Sequence, residues 1–432
     1  MRRLTTRRAL IGVVGLGYVG LPLAVEHASA GFRVIGLDDN LSKVERVNRG
    51  ENYIPDVDSE ILRALTRQKR LSAIGDYGAL TEADVIIICV PTPLTTNKEP
   101  DLSYILAVAD KIRKIMRPGQ LIALESTTYP GTTEEVLQPI LETSGLKVGE
   151  EFFLAFSPER VNPGDPVFKT RNTPKLVGGV TPQCRQAATA LYQQSISQVI
   201  PVSSPRVAEL SKVFENTYRA VNIALVNELA LLCDRMQLDV WEVLEAAGTK
   251  PFGIQIFHPG PGVGGHCIPL DPFYLSWKAR EYDFPTRFIE LAGEINLRMP
   301  YFVVDKITRA MNARKRAING SRILLLGIAY KKDIDDERES PALKVLELLE
   351  QQGAHVEFHD PYVPVVKPHT FFSRQIRSVA LSEDLVQLQD CVVITTDHSC
   401  IDYEWVVNHS ALVVDSRNAT KKFAERENVV RL

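Results

Sequence analysis

Residues 9–38 read ALIGVVGLGYVGLPLAVEHASAGFRVIGLD, and this stretch decides the fold of the first part of the chain. An apolar run ending at Val14 predicts a buried strand, and GLGYVG (15–20) predicts a tight turn that opens a helix. A second predicted strand, Arg33–Leu37, ends at Asp38. A glycine turn between strand and helix, followed by an acid at the end of the next strand, is typical of a dinucleotide-binding βαβ unit.

The same stretch predicts which dinucleotide binds. The glycines let the backbone approach a pyrophosphate, whose charge lies at the helix N-terminus. Asp38 would accept hydrogen bonds from the ribose hydroxyls and would repel a 2′-phosphate, so NAD is favoured over NADP. Lys43 is close enough to assist at the ribose, although it could equally be a solvated helix lysine. The glycines could also be merely structural. The predicted cofactor contacts in this stretch are Gly15, Gly17, Tyr18, Val19, Gly20, Asp38 and Lys43.

Composition excludes several classes of protein. The chain has 432 residues, is 45% hydrophobic and 24% charged, and carries a net charge of -3. These values are ordinary for a globular protein and leave no overall basic field for nucleic acid. The six cysteines are scattered without a CxxC pair or metal-ligand spacing. We therefore expect neither a disulfide scaffold nor a bound metal, and a reduced, cytoplasmic setting.

The N-terminus resembles a secretory signal in part. Four arginines precede an apolar run, and Ala28-Ser29-Ala30 resembles a cleavage site. Removing the segment would delete the first strand of the βαβ unit, so we expect it to be retained. No other stretch offers the roughly 20 apolar residues that span a bilayer.

Alternating strands and helices on either side of a helical middle predict an α/β protein. We expect two Rossmann-like doubly wound parallel-sheet domains joined by a helical central domain with a long helix, 208–236. The predicted domains are 1–202, which binds NAD; 203–313, which is helical and carries a Gly/Pro-rich loop; and 314–432, a second, nucleotide-binding copy. That copy has an acid at the end of its second strand but lacks GxGxxG, which suggests two nucleotide-containing ligands.

Cys267, at the end of the Gly/Pro-rich loop, is the candidate nucleophile. A thiol can hold an aldehyde as a thiohemiacetal, and loss of hydride then gives a thioester. Asp271 could orient the thiol or a water, or could simply cap a helix. Cys89, Cys233 and Cys391 are predicted to be buried packing residues.

Three further residues could serve this chemistry. Lys212 and Asn216 share a face of the long helix and could stabilise a developing alkoxide, whereas the simpler alternative for Lys212 is a solvent-facing lysine. Glu159 follows a predicted strand, near the sheet edge where ligands bind, and could activate water. Alternatively, it pairs with Arg160.

Ordered motifs run through the whole chain. They are GVVGLGYVG (12–20) with Asp38, VPTP (90–93), EST (125–127), SPE (157–159), ELSK (209–212) through Asn216 and RA (219–220), GPGVGGHC (260–267), and GIAYKKD (327–333) with Arg338. With these motifs the chain resembles the UDP-glucose/GDP-mannose dehydrogenase family from about residue 9 to 418. That family oxidises the C6 alcohol of a nucleotide sugar to a carboxylate with two NAD⁺ and one water, without releasing the aldehyde.

The resemblance assigns roles residue by residue. It implies that Cys267 is the nucleophile, that Lys212 and Asn216 hold the C6 oxygen, and that Asp271 supports proton transfer. Thr127 would position a water, Glu159 would serve thioester hydrolysis, and Thr92 and Thr127 would border the nicotinamide. The implied substrate contacts are Glu159, Arg160, Lys212, Asn216, Phe257, His258, Gly264, Lys331 and Arg338. Members pair as dimers through the long central helix, and some form larger assemblies.

The branch within the family is a finer matter. Many UDP-glucose enzymes carry an arginine before the glycine-rich loop, where this chain has Lys250-Pro251-Phe252. The loop is more similar to the bacterial UDP-N-acetylglucosamine 6-dehydrogenase branch of the O-antigen type. UDP-glucose, UDP-N-acetylgalactosamine and UDP-N-acetylmannosamine remain alternative substrates. A β-hydroxyacid dehydrogenase and a non-catalytic NAD-binding protein are more distant alternatives.

Overall fold

The protein contains two largely parallel β-sheets and a helical middle with long helices. The computed structural model describes residues 1–432 except Thr96, Lys98, Pro163, Pro166, 266–267 and 369–372. By their contacts the residues divide into two compact units, residues 1–215 with 273–284, and residues 216–272 with 285–432. The predicted fold class, with two largely parallel sheets and a helical middle, is confirmed.

The strands of the first unit are β1 Leu10–Val14, β2 Arg33–Leu37, β3 Leu71–Ile74, β4 Val85–Ile88, β5 Leu121–Leu124, β6 Phe153–Phe156, β7 Lys175–Gly179 and β8 Val199–Val202. They form one sheet of eight described strands in the order β3-β2-β1-β4-β5-β6-β7-β8. Neighbours are parallel except β6 and β7, which are antiparallel. In β1, Ile11 and Val13 pack into the core on one face and Val14 into the core on the other, because both faces are covered by helices.

The second unit repeats this arrangement on a smaller scale. Its strands are β9 Arg322–Leu326, β10 His355–His359, β11 Val365–Val366, β12 Ile376–Arg377, β13 Cys391–Ile394, β14 Val413–Asp415 and β15 Val429–Arg431. Five of the described strands form a parallel sheet in the order β10-β9-β13-β14-β15. Its first strands follow the same order as β2-β1-β4-β5, which agrees with the predicted internal repeat.

The helices are α1 Arg2–Thr5, α2 Gly20–Ser29, α3 Leu41–Arg49, α4 Ser59–Arg67, α5 Ser103–Arg113, α6 Gln138–Glu142, α7 Pro182–Tyr192, α8 Pro205–Met236, α9 Val240–Gly248, α10 Asp271–Ala279, α11 Arg287–Ala313, α12 Pro341–Gln351, α13 Glu383–Gln387 and α14 Tyr403–His409. The long helix α8 has 32 residues, as its apolar spacing predicted. Helix α11 begins only at Arg287, after Asp283 has ended the preceding turn with a left-handed backbone (φ 52°). No helix in the described part of the chain is long and apolar enough to cross a membrane.

Candidate active site

The glycine turn after β1 has the geometry of a pyrophosphate cradle. Gly15 has φ +93°, and a Cβ there would lie 2.5 Å from the Cys89 carbonyl oxygen. A Cβ on Gly20 would lie 1.8 Å from the Gly15 carbonyl oxygen, so α2 can start this close to the turn only with glycine. At Gly17, by contrast, no described atom lies within 4 Å of an added Cβ. Gly15 and Gly20 are therefore required by packing, and Gly17 leaves open space at the N-terminus of α2, where a phosphate fits.

Asp38, at the end of β2, has the position expected for a ribose contact. Its Oδ2 accepts from the backbone N–H of Leu16 (2.9 Å) and its Oδ1 from that of Asn40 (2.9 Å). Lys43 Nζ lies 3.2 Å from Oδ2. The lysine therefore pairs with the predicted ribose contact instead of extending freely from α3. The glycine turn and Asp38 together fit NAD.

The turns after β4 and β5 are joined by side-chain hydrogen bonds. Thr92 Oγ1 donates to the carbonyl oxygen of Thr127 (2.6 Å), and Ser126 Oγ donates to that of Val90 (2.7 Å). The hydroxyl of Tyr274, on α10, donates to the Thr92 carbonyl. The structure thus brings together Thr92 and Thr127, the two residues predicted to border the nicotinamide.

Glu159 lies in the turn after β6, as predicted. Its Oε1 accepts from the backbone N–H groups of Arg160 (2.7 Å) and Val161 (2.9 Å), while Oε2 lies 3.7 Å from Lys175 Nζ. The alternative in which the Glu159 carboxylate pairs with the Arg160 guanidinium is wrong. That guanidinium instead bonds Glu215 (2.7 Å) and the Pro174 carbonyl.

Lys212 is buried in the first unit, with 7% of its surface exposed, which contradicts the solvent-facing alternative. None of the ion pairs between described residues involves it. In the second unit, Asn216 is 1% and Asp271 2% exposed, and Asn216 Nδ2 donates to Asp271 Oδ2. Arg219 donates to the side-chain oxygen Oδ1 of Asn216, which fixes the orientation of the amide.

The described part of the glycine-rich loop packs on the segment between β9 and α12. A Cβ on Gly264 would lie 2.6 Å from the Tyr330 Cβ, and Gly265 N–H donates to the Arg338 carbonyl (3.0 Å). Arg338 itself holds Asp336 through two nitrogens, and neighbouring Lys331 is half-buried.

Phe257 and His258, earlier in this loop, contact aromatic residues of the second unit. The Phe257 ring lies 6.0 Å from that of Tyr218 on α8, and the exposed His258 ring lies 5.9 Å from that of Trp241. The substrate pocket that these two residues would share with Lys331 and Arg338 stays a prediction.

The predicted nucleophile Cys267 lies outside the described residues, and its role stays a prediction. Cys89, Cys233 and Cys391 are buried free thiols, as expected of packing residues. Among the described residues, no three His, Cys, Asp or Glu side chains form a group that could hold a metal ion.

Comparison with known proteins shows the family. Models of the UDP-glucose/GDP-mannose dehydrogenase family match with their NAD-binding domain at residues 9–196, central domain at 206–298 and UDP-binding domain at 324–422. The chain belongs to this family. It is thus an NAD-dependent nucleotide-sugar dehydrogenase, and the predicted cofactor and enzyme class are confirmed. The UDP-binding domain implies a UDP-sugar substrate.

Similar proteins differ in the sugar that their names give. The chain is 38% identical to UDP-N-acetyl-D-glucosamine 6-dehydrogenase of Pseudomonas aeruginosa (82% of this chain, 83% of that protein). It is 38% identical to NDP-N-acetyl-D-galactosaminuronic acid dehydrogenase of Ralstonia nicotianae (90% of each). The structure of UDP-D-ManNAc dehydrogenase from Pyrococcus horikoshii superposes with a TM-score of 0.88 at 34% identity, over 98% of each chain.

Three polar residues of this dehydrogenase form buried or half-buried contacts that its sequence did not predict: Lys175, Glu125 and Arg417. Lys175, buried at the start of β7, pairs with Glu125, and this cluster was not predicted. A lysine that opens the otherwise apolar strand KLVGG (175–179) was the available signal. In the second unit, Arg417 donates to the carbonyls of Thr395 (3.0 Å) and Tyr330 (3.4 Å).

Proposed function

We propose that this dehydrogenase oxidises the C6 alcohol of UDP-N-acetylglucosamine to the carboxylate, giving UDP-N-acetylglucosaminuronate, in two steps at one site. The observation that carries the C6 chemistry is the hydrogen bond between Asn216 and Asp271. These residues are 55 positions apart, and both side chains are polar and buried. The sequence predicts that Asn216 holds the C6 oxygen and that Asp271 supports proton transfer. Buried polar groups of this kind are costly unless they are satisfied, so their pairing favours a built site.

The proposed mechanism uses each predicted residue once. NAD⁺, held by the glycine turn and Asp38, would supply the hydride acceptor for each oxidation. Lys212 and Asn216 donate to the C6 oxygen, and Asp271 holds the Asn216 amide and supports proton transfer. Cys267 attacks the aldehyde carbon, which gives a thiohemiacetal and, after the second oxidation, a thioester. Thr127 positions a water and Glu159 removes its proton, so that the C–S bond breaks and the carboxylate forms.

The proposed choice of sugar rests on two observations. One is the likeness to the Pseudomonas aeruginosa enzyme, whose name gives UDP-N-acetyl-D-glucosamine. The other is the segment Lys250–Phe252 before the glycine-rich loop, which lacks the arginine of many UDP-glucose enzymes. UDP-N-acetylgalactosamine, UDP-N-acetylmannosamine and UDP-glucose are the alternatives that the experiment must separate.

The test is to incubate the protein with NAD⁺ and each of these four UDP-sugars, following NADH absorbance and product mass. We expect the highest kcat/KM with UDP-N-acetylglucosamine and two NADH per uronate. One NADH per product would instead support a single oxidation, as in a β-hydroxyacid dehydrogenase. Inactivity with all four would support a non-catalytic NAD-binding protein. Cys267→Ser should bind NAD normally and make no uronate.

The wider setting is also proposed. The product would serve a surface polysaccharide such as an O-antigen, made in the cytoplasm of a bacterium. The three predicted domains, 1–202, 203–313 and 314–432, are retained as a proposal. Exposed apolar side chains on α8, including Leu210, Phe214, Leu225 and Leu232, support a homodimer or larger assembly built on this helix. Sedimentation velocity tests the assembly, and a monomer at micromolar concentration would refute it.

A further inference from the structure

A buried cluster of charges lies beneath the turn that carries Glu159. Lys175, the first residue of β7, is 4% exposed, and its Nζ lies 2.7 Å from Glu125 Oε2 and 3.2 Å from the Pro158 carbonyl oxygen. Glu125, directly after β5, is 1% exposed and also accepts from the hydroxyl of Tyr192 on α7. The ammonium therefore uses two of its three N–H donors in hydrogen bonds to Glu125 and to the Pro158 carbonyl.

Glu159 is a second carboxylate close to the Lys175 ammonium. The Nζ–Oε2 distance is 3.7 Å, too long for a hydrogen bond but short enough for strong attraction in a buried setting. The other Glu159 oxygen is held by two backbone N–H groups. Lys175 therefore lies beside the second Glu159 oxygen while it is hydrogen-bonded to Glu125.

Stability alone does not explain this cluster. A buried ion pair is often no more stabilising than apolar side chains of the same volume, because both charges lose their hydration. Burial raises the pKa of Glu125 to about 7, with Lys175 opposing the shift, and it raises the pKa of Tyr192 as well.

We propose that Lys175, with Glu125 as its counter-ion, is a positioning residue that orients the Glu159 carboxylate for thioester hydrolysis. This inference rests on the proposed function. In that step a water oxygen attacks the thioester carbon and its proton passes to Glu159. The C–S bond then breaks with the electron pair on sulfur, so no further oxidant or reductant is needed. Lys175 touches none of the reacting atoms and acts through Glu159 alone.

The test separates hydrolysis from hydride transfer. The double variant Lys175→Met/Glu125→Gln removes both charges, so it leaves no unpaired buried ion and should fold. Mixed rapidly with NAD⁺ and the UDP-sugar that the wild type turns over, it should release two NADH per site at the wild-type rate. Hydrolysis should then be about tenfold to hundredfold slower, since a displaced catalytic group costs this much. Acid quenching and mass spectrometry should show the acyl group accumulating on the protein.

Two comparisons complete the design. Lys175→Arg keeps the cation and should restore hydrolysis to within about threefold of wild type, whereas Lys175→Met alone should not. The matched control is Lys306→Met/Asp234→Asn, which removes a partly buried pair (2.8 Å) in the second unit and should leave acyl-enzyme hydrolysis unchanged.

Three results would overturn the inference. Wild-type hydrolysis in the double variant would show that Glu159 needs no such support. Equal slowing of hydride transfer and hydrolysis would show a merely structural cluster. Equal slowing in the Lys306 control would show a general loss of stability. Failure of the proposed function is a different result, since the wild type itself would then release no NADH or only one per product.

Discussion

His27 should make the first unit sensitive to mild acid. It lies on α2, fully buried, with its ring 6.1 Å from that of Phe32 and 5.9 Å from that of Tyr192. Its Nδ1 shares a hydrogen bond with Ser195 Oγ (3.0 Å), while no described atom partners Nε2. Burial, reinforced by nearby Lys175, lowers the pKa of His27 from 6.5 to about 3.

The size of the effect follows from these two pKa values. The folded state keeps the imidazole neutral, whereas the unfolded state takes up a proton below about pH 6.5. The stability linked to His27 is therefore complete above that pH and is lost as the pH falls. The whole gap between the two pKa values corresponds to about 5 kcal/mol of stability, which is lost in full only below about pH 3. The part that is lost between pH 8 and pH 5 is about 2 kcal/mol.

The variant His27→Phe isolates this contribution. Phenylalanine fills the same space and cannot be protonated, so the loss of stability between pH 8 and pH 5 should be smaller by about 2 kcal/mol. Hydrogen exchange of peptides that cover β1 and β2, measured at both pH values, reports the stability of this unit. His355→Phe, at an exposed position on β10, is the control and should leave the difference unchanged. If wild type and His27→Phe lose the same stability, His27 is not held neutral by burial and the reasoning fails.

Three further predictions concern the first unit. Gly20→Ala places a Cβ 1.8 Å from the Gly15 carbonyl oxygen, so NAD affinity measured by calorimetry should fall by about 100-fold or more; unchanged affinity would refute the cradle. Asp38→Asn removes the charge that is predicted to face the ribose hydroxyls, so it should weaken NAD binding by about tenfold and narrow the preference for NAD over NADP in the same titrations. If only NADP binding changed, Asp38 would not contact the ribose hydroxyls of NAD. Glu125→Gln should abolish a pH effect opposite in sign to that of His27. The pKa of Glu125 is raised from 4.5 to about 7, so the folded state of the wild type loses up to about 3 kcal/mol of stability as the pH rises from 4.5 to 7. Urea unfolding at pH 5 and pH 8 measures this loss. If wild type and Glu125→Gln show the same change in stability between the two pH values, the prediction is wrong.

The amino-acid sequence by itself determined the local features of the site. The glycine turn, Asp38 and the 32-residue helix α8 depend on backbone sterics and on periodicity within a few turns, so they can be read from neighbouring residues. The ordered motifs along the chain were also enough to identify the family, because each motif can be recognised from its own few residues. The antiparallel pairing of β7 with β6 was not predicted, since apolar runs do not encode strand direction.

Tertiary structure decided which polar residues are buried and which of them meet. Lys212 could be a surface or a buried lysine by sequence, and only packing around α8 shows that it is buried. Lys175 and Glu125 are 50 positions apart. They meet because the register of the strands brings the end of β5 and the start of the antiparallel strand β7 to one edge of the sheet. Electrostatic partnership depends on distance and dielectric in three dimensions, and neither quantity is set by residues that are neighbours along the chain.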